Sequence, residues 1–328
     1  MRRTLHALTL ILCVGALFTS CAPKSAKLIG IAKFVSHPAL DAIEKGIEDE
    51  LSDSKPDYKI DLQNANADMN TAAQIAQHFK QEKVALAVGI ATPTAQALAN
   101  QIKDRPVIYA AVTDPVAAGL VANMDKGGAN ITGTSDMTPV REQLDLLRSL
   151  KPSVKRIGNI YASGEANSVV IASIVKAYCQ ENGLEYVETT ITNSSEARQA
   201  LLSIADRIDA LYLGNDNTVF SALSGIADVA LEKKIPVVTA DPSSAETIPV
   251  LAALGYDYYR MGVATGKIIV RVLNGEKTEN IPAFLPKESQ DMSFVLNLDT
   301  AKQLGLTVDQ SVIDKAKVVI SDGQLTRK

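Results

Sequence analysis

Twice along this 328-residue chain, a β-prone apolar run stops at a small polar loop and gives way to a helical pattern, several times in succession. The first series places strands at 28–34, 58–62, 84–88 and 106–112, with helices opening near Pro38 and running at 69–81 and 94–103. The second places strands at 157–161, 184–190, 210–213 and 236–239, with helices at 166–182, 195–206 and 218–233. Strands alternating with helices in this way build a parallel sheet covered on both faces. The duplication therefore constrains the chain to an α/β architecture of two similar lobes. Aromatic residues are only 5% of the chain and tryptophan is absent, so the cores must be made of Ala, Val, Ile and Leu, as covered parallel sheets tend to be.

The N-terminus reads as a targeting segment. Arg2 and Arg3 precede an apolar run from Leu5 to Phe18, which is short for a membrane span. Leu17-Phe-Thr-Ser-Cys21 is similar to a bacterial lipobox, which implies a signal peptide over 1–20, a lipidated Cys21 and a polar tether over 21–27. The protein is then expected to be exported and held on the bacterial membrane or its periplasmic face; an ordinary signal peptide cleaved nearby is the alternative. Buried acyl chains gain about 0.8 kcal/mol per methylene, enough for a firm anchor. Cys13 would leave with the signal and Cys21 would carry lipid, so Cys179 has no disulfide partner and is expected to be a buried thiol.

Several function classes are disfavoured. A net charge of −4 with no dense basic patch argues against nucleic acid. His37 and His78 stand alone with no Cys/His cluster, so no metal site is expected. No G-x-G-x-x-G or P-loop announces a nucleotide, and no cofactor is expected. No nucleophile is paired with a base and an orienting group, which favours binding over catalysis.

Six motifs in order carry a resemblance: Phe34-Val-Ser-His-Pro-Ala-Leu-Asp41, Gly89-Ile-Ala-Thr-Pro93, Val112-Thr-Asp-Pro-Val116, Tyr161-Ala-Ser-Gly-Glu-Ala-Asn-Ser168, Gly214-Asn-Asp-Asn-Thr218 and Gly255-Tyr-Asp-Tyr-Tyr259. Together they resemble the ABC-transporter substrate-binding lipoproteins that include tryptophan- and tyrosine-binding members. The resemblance spans nearly all of 28–298 and implies a class I periplasmic-binding-protein fold. Two Rossmann-like lobes would be joined by three hinge crossovers, with lobe one at 28–134 plus 251–276 and lobe two at 135–250 plus 277–328. It further implies a monomer that captures a small solute, an amino acid and in particular an aromatic one, for a membrane ABC permease. A sensor that shows its closed form to a membrane receptor, and a binder of a sugar or nucleoside, are the alternatives.

In open parallel sheets ligands lie beyond the carboxyl ends of the strands, where each polar corner of this chain falls. An amino acid needs donors for its carboxylate and acceptors for its ammonium. Helix N-termini supply unpaired N–H groups and a positive dipole end. The corners at Thr92–Thr94 and at Ser163, Glu165, Ala166, Asn167 and Ser168 offer such ends with hydroxyls beside them. Acids for the ammonium are Asp114, Glu165, Asp216 and Asp241, with Asn215, Asn217 and Thr218 flanking Asp216. Phe34 and Ser36 end the first strand, where Phe34 is either a wall for an aromatic ligand or core. Plainer roles stay open. Ser163, Asp216 and Thr92 would also serve as helix caps, and Asp114 and Asp241 as turn residues.

Overall fold

The computed structural model describes residues 27–328 apart from Pro56 and 287–290. The expected signal segment, Cys21 and nearly all of the tether lie outside the described residues. The first lobe begins with β1 (Lys27–Lys33), α1 (Pro38–Ser54), β2 (Tyr58–Asn64), α2 (Met69–Gln81), β3 (Leu86–Ile90), α3 (Thr92–Gln101), β4 (Val107–Ala110) and β5 (Ile131–Gly133). Its sheet is parallel throughout, in the order β2-β1-β3-β4-β5. Every residue of β3 and β4 is buried, as the apolar runs require. Local signals set the helix starts. Pro38 opens α1, whose Leu40, Ile43, Ile47 and Leu51 face the core. Asp68 caps α2 by accepting from Thr71 N at 2.6 Å.

The second lobe follows with α4 (Val140–Leu150), β6 (Arg156–Ala162), α5 (Ala166–Glu181), β7 (Glu185–Ile191), α6 (Ala197–Ile204), β8 (Ala210–Leu213), α7 (Asn217–Ser221), α8 (Leu223–Glu232), β9 (Val237–Thr239), α9 (Pro242–Ala245) and β10 (Ala252–Tyr256). The chain then runs through α10 (Tyr258–Leu273), β11 (Met292–Asn297), α11 (Leu298–Gln303), α12 (Gln310–Lys315), β12 (Val318–Ser321) and β13 (Gln324–Arg327). The second sheet has the order β13-β12-β11-β10-β9-β8-β6-β7. Apolar clusters cover its two faces. Cys179 lies buried in one of them, and burial pushes its thiol up to about 11, which keeps it unreactive.

Three features depart from the sequence-based expectation. First, β10 belongs to the second sheet, pairing in parallel with β9 and antiparallel with β11, whereas lobe one was expected to begin again at 251. The crossover falls at Asp257, and α10 then packs on α1 of the first lobe. Second, residues 277–285, expected in lobe two, are bonded to β5. Thr132 Oγ1 donates to Ile281 O at 2.8 Å, Phe284 N to Gly133 O at 2.9 Å, and Ser135 N to Phe284 O at 2.7 Å. Third, the stretch after Leu306, expected as a peripheral tail, adds two strands to the second sheet; β12 pairs in parallel with β11, and β13 folds back on β12. A smaller difference is that the expected helix 218–233 is broken at Ala222, which has φ −112°. Among the described residues, the chain leaves the first lobe after β5, returns to it at Asp257, and is back in the second sheet at β11.

Helices α1 and α10 lie in backbone contact. A Cβ on Gly46 would stand 2.3 Å from Tyr259 O, and one on Gly262 would stand 2.3 Å from Ile43 O. Glycine at both positions is what allows this close approach.

Candidate functional site

The strand orders fix where a site can form. In the first sheet β1 sits between β2 and β3, so the crevice opens between the loops after β1 and β3. In the second sheet β6 sits between β7 and β8, so the crevice opens between the loops after β6 and β8. These are the points where successive connections leave on opposite faces of the sheet, and ligands of α/β proteins bind there. The two crevices face each other. His37 and Thr92 come from the first, Asn167, Asn215 and Asn217 from the second, and Asp136 from the first crossover lies between them. The space enclosed between them is small. That leaves room for about one water. The lobes touch across it: the rings of His37 and Phe220 meet edge to face at 5.7 Å between centroids.

Buried polar atoms normally find a hydrogen-bond partner. In this cleft several do not. Both ring nitrogens of His37, Thr92 Oγ1 and Asn167 Oδ1 are buried without one. Burial lowers the His37 pKa, opposed chiefly by the charge of Asp241, so the ring is neutral. Ala91 and Ala111, at the ends of β3 and β4, hold φ values of 80° and 51°. Such backbone is costly for alanine and is typical of functional sites.

Asp136 joins both lobes. It accepts from Thr113 Oγ1 at 2.9 Å, from Asn215 Nδ2 at 2.8 Å and from Tyr258 OH at 3.3 Å. Thr113 belongs to the first lobe, Asn215 to the second, and Tyr258 opens the helix after the second crossover. All three donors are uncharged, and burial raises the pKa of Asp136. A cation placed in the cleft would favour its ionised form.

Glu165 is held differently. Its carboxylate is buried and accepts from Thr218 N (2.9 Å), Thr218 Oγ1 (2.7 Å), Asn217 N (3.3 Å), Asn217 Nδ2 (2.5 Å) and Asn167 Nδ2 (3.1 Å). It pins the α5 and α7 N-termini together within one lobe. Asp216 sits beside it as the α7 cap, accepting from Val219 N at 2.8 Å and from Ala162 N. Burial, and then the Glu165 charge, raise the Asp216 pKa.

A family model described as ABC transporter substrate binding protein matches residues 28–320. The chain belongs to that family. The substrate-binding protein is 38% identical over 303 residues to a tyrosine-binding protein of Clostridioides difficile (strain R20291), covering 91% of this chain and 86% of the relative. A domain from Streptococcus pneumonia in complex with L-Trp superposes with a TM-score of 0.85 at 36% identity, covering 90% of this chain and all of that one. The ligand-free, open structure of a substrate binding protein with adhesive properties from Clostridium difficile superposes with a TM-score of only 0.64 at 40% identity, covering 87% of this chain and 96% of that one.

Of the residues singled out from sequence, Thr92, Asn167, Asn215, Asp216 and Asn217 line the cleft of this substrate-binding protein. The others lie elsewhere. Phe34 is buried in the core of the first lobe. Ser36 is exposed and accepts from Asn64 Nδ2 at 3.1 Å. Thr94 Oγ1 donates back to Ile90 O at 2.6 Å. Asp114 closes a turn by accepting from Val116 N and Ala117 N, and Asp241 caps α9 through Ser244. Ser163 is exposed at the loop tip, and Ala166 is half-buried in the first turn of α5. Ser168 and Thr218 are buried against Asn167 and Glu165 respectively. The sequence reading did not count Asp136, Phe220, Tyr258 or His37 among the ligand-contacting residues, although Tyr258 and His37 lie within the motifs it singled out. Position was the available signal for two of these: a crossover passes the cleft, so an acid just beyond β5 faces it, and a polar side chain in the first switch-point loop does too.

Proposed function

We propose that this protein captures an aromatic amino acid in the interlobe cleft and delivers it to a membrane ABC permease. The observation that carries this is a buried hinge carboxylate, Asp136, bonded only to neutral donors beside the unpartnered Thr92 hydroxyl and Asn167 carbonyl. The ligand ammonium pairs with Asp136 and Asn167 Oδ1. Its carboxylate meets the Thr92 hydroxyl and the N-terminus of α3. Leu40 and Phe220 flank the side chain. The relatives' ligands, tyrosine in one and L-Trp in another, support the amino-acid class. Binding closes the lobes by hinge motion at the three crossovers. The protein carries its ligand without transforming it and acts as a monomer, tethered through a lipid on Cys21. Calorimetric titration with a panel of amino acids, sugars and nucleosides tests the ligand class. Heat with tyrosine or tryptophan is expected; heat only with sugars or nucleosides overturns it.

A further inference from the structure

The cleft has two ends. At one, α3 meets α5, bringing Thr92 and Asn167 together. At the other, α1 meets α9, and His37 stands at the start of α1. Around His37 the wall is mixed: Ala39 and Leu40 from α1 and the Phe220 ring are apolar, while the Asn217 side chain and the charge of Asp241 lie close by. His37 thus presents two polar atoms in the end of the cleft that suits a ligand side chain rather than its charged groups.

We propose that His37 selects the ligand side chain, its ring bonding a hydroxyl or ring N–H at the far end of an aromatic group. Tyrosine and tryptophan are thereby accepted over phenylalanine. The inference rests on the amino-acid reading above. A neutral imidazole carries one donor and one acceptor nitrogen, so it matches either a phenol or an indole N–H. Both nitrogens are buried without a well-formed hydrogen bond, and the Asn217 side chain is the polar group nearest to them. A phenyl ring would leave them so and keep their desolvation penalty in the complex. Sites built to bond a ligand hydroxyl reject the analogue that lacks it, whereas an apolar slot separates such pairs weakly.

The test is titration calorimetry of wild type, His37→Leu and His37→Gln with L-tyrosine, L-tryptophan and L-phenylalanine, with thermal melts to establish folding. In wild type, phenylalanine should bind at least about tenfold more weakly than the tighter of the other two. His37→Leu should remove most of that gap with phenylalanine affinity kept or improved, and His37→Gln should preserve part of it. Equal binding of all three ligands by wild type would overturn the selection role while leaving the amino-acid function standing. An undiminished preference in His37→Leu would do the same, and if that variant fails to fold, His37→Gln with its ordering of ligands unchanged in size decides in its place. Absence of binding to any of the three would instead remove the amino-acid reading on which the inference stands.

Discussion

Asp136 and Glu165 are both buried acids, and their surroundings give them opposite duties. Glu165 is saturated by donors of its own lobe. Glu165→Ala would strand Thr218 N and the Asn217 amide in a buried site, at about 1–3 kcal/mol of stability. Urea unfolding of the ligand-free protein should register that loss directly; unchanged stability would mean the cluster is dispensable. The raised pKa values of Asp136 and Asp216 have a definite sign. A carboxyl whose folded pKa lies above its unfolded value favours the folded state below the unfolded pKa, and that contribution is lost as pH rises through the folded pKa. The ligand-free protein should therefore lose this contribution as pH climbs from the ordinary carboxylate range, about 4, toward neutral. An ammonium beside ionised Asp136 offsets it. The increase in Tm given by saturating ligand should be larger at about pH 8 than at about pH 5. A shift independent of pH would separate Asp136 from the ligand ammonium.

At the scale of elements, the pairing of α1 with α10 depends on two glycines. Gly262→Ala would drive a Cβ into the Ile43 carbonyl, a backbone atom that has no rotamer to move. The expected cost is about 1–3 kcal/mol, read as a lowered Tm. A melt at the wild-type temperature would show that the helices can part without penalty. The βα units of both lobes were legible because the inner strands are apolar runs ended by polar corners, while the edge strands β2 and β7 mix polar and apolar residues. The lobe that owns β10 was not, since Ala252–Tyr256 is apolar enough for either sheet and only pairing with β9 and β11 decides. The last hairpin did carry a signal that was passed over. Asp322-Gly323 joins β12 and β13 with φ values of 51° and 71°, the two-residue turn that Asp-Gly favours. In the site, Thr92, Asn167 and Asn215 to Asn217 were readable as polar corners. Glu165 and Asp241 looked equally suitable because a sequence does not say whether an acid's partners come from its own lobe.

The whole molecule brings two switch-point crevices together, with three chain crossings behind them. The Asp136 bonds reach both lobes and the start of α10, so the group proposed to meet the ligand also ties these parts together. A ligand cation adds a favourable interaction only where these parts converge, which biases the molecule toward closure. Entry of the proposed ligand requires the lobes to separate, because the enclosed space holds about one water. Asp136→Asn keeps the size of the side chain and removes its charge. Titration of wild type and Asp136→Asn with L-tyrosine and L-tryptophan, on samples of equal Tm, tests the account most directly. The account predicts binding by wild type and a loss of about 1–3 kcal/mol or more in the variant; equal affinities in the two would contradict it.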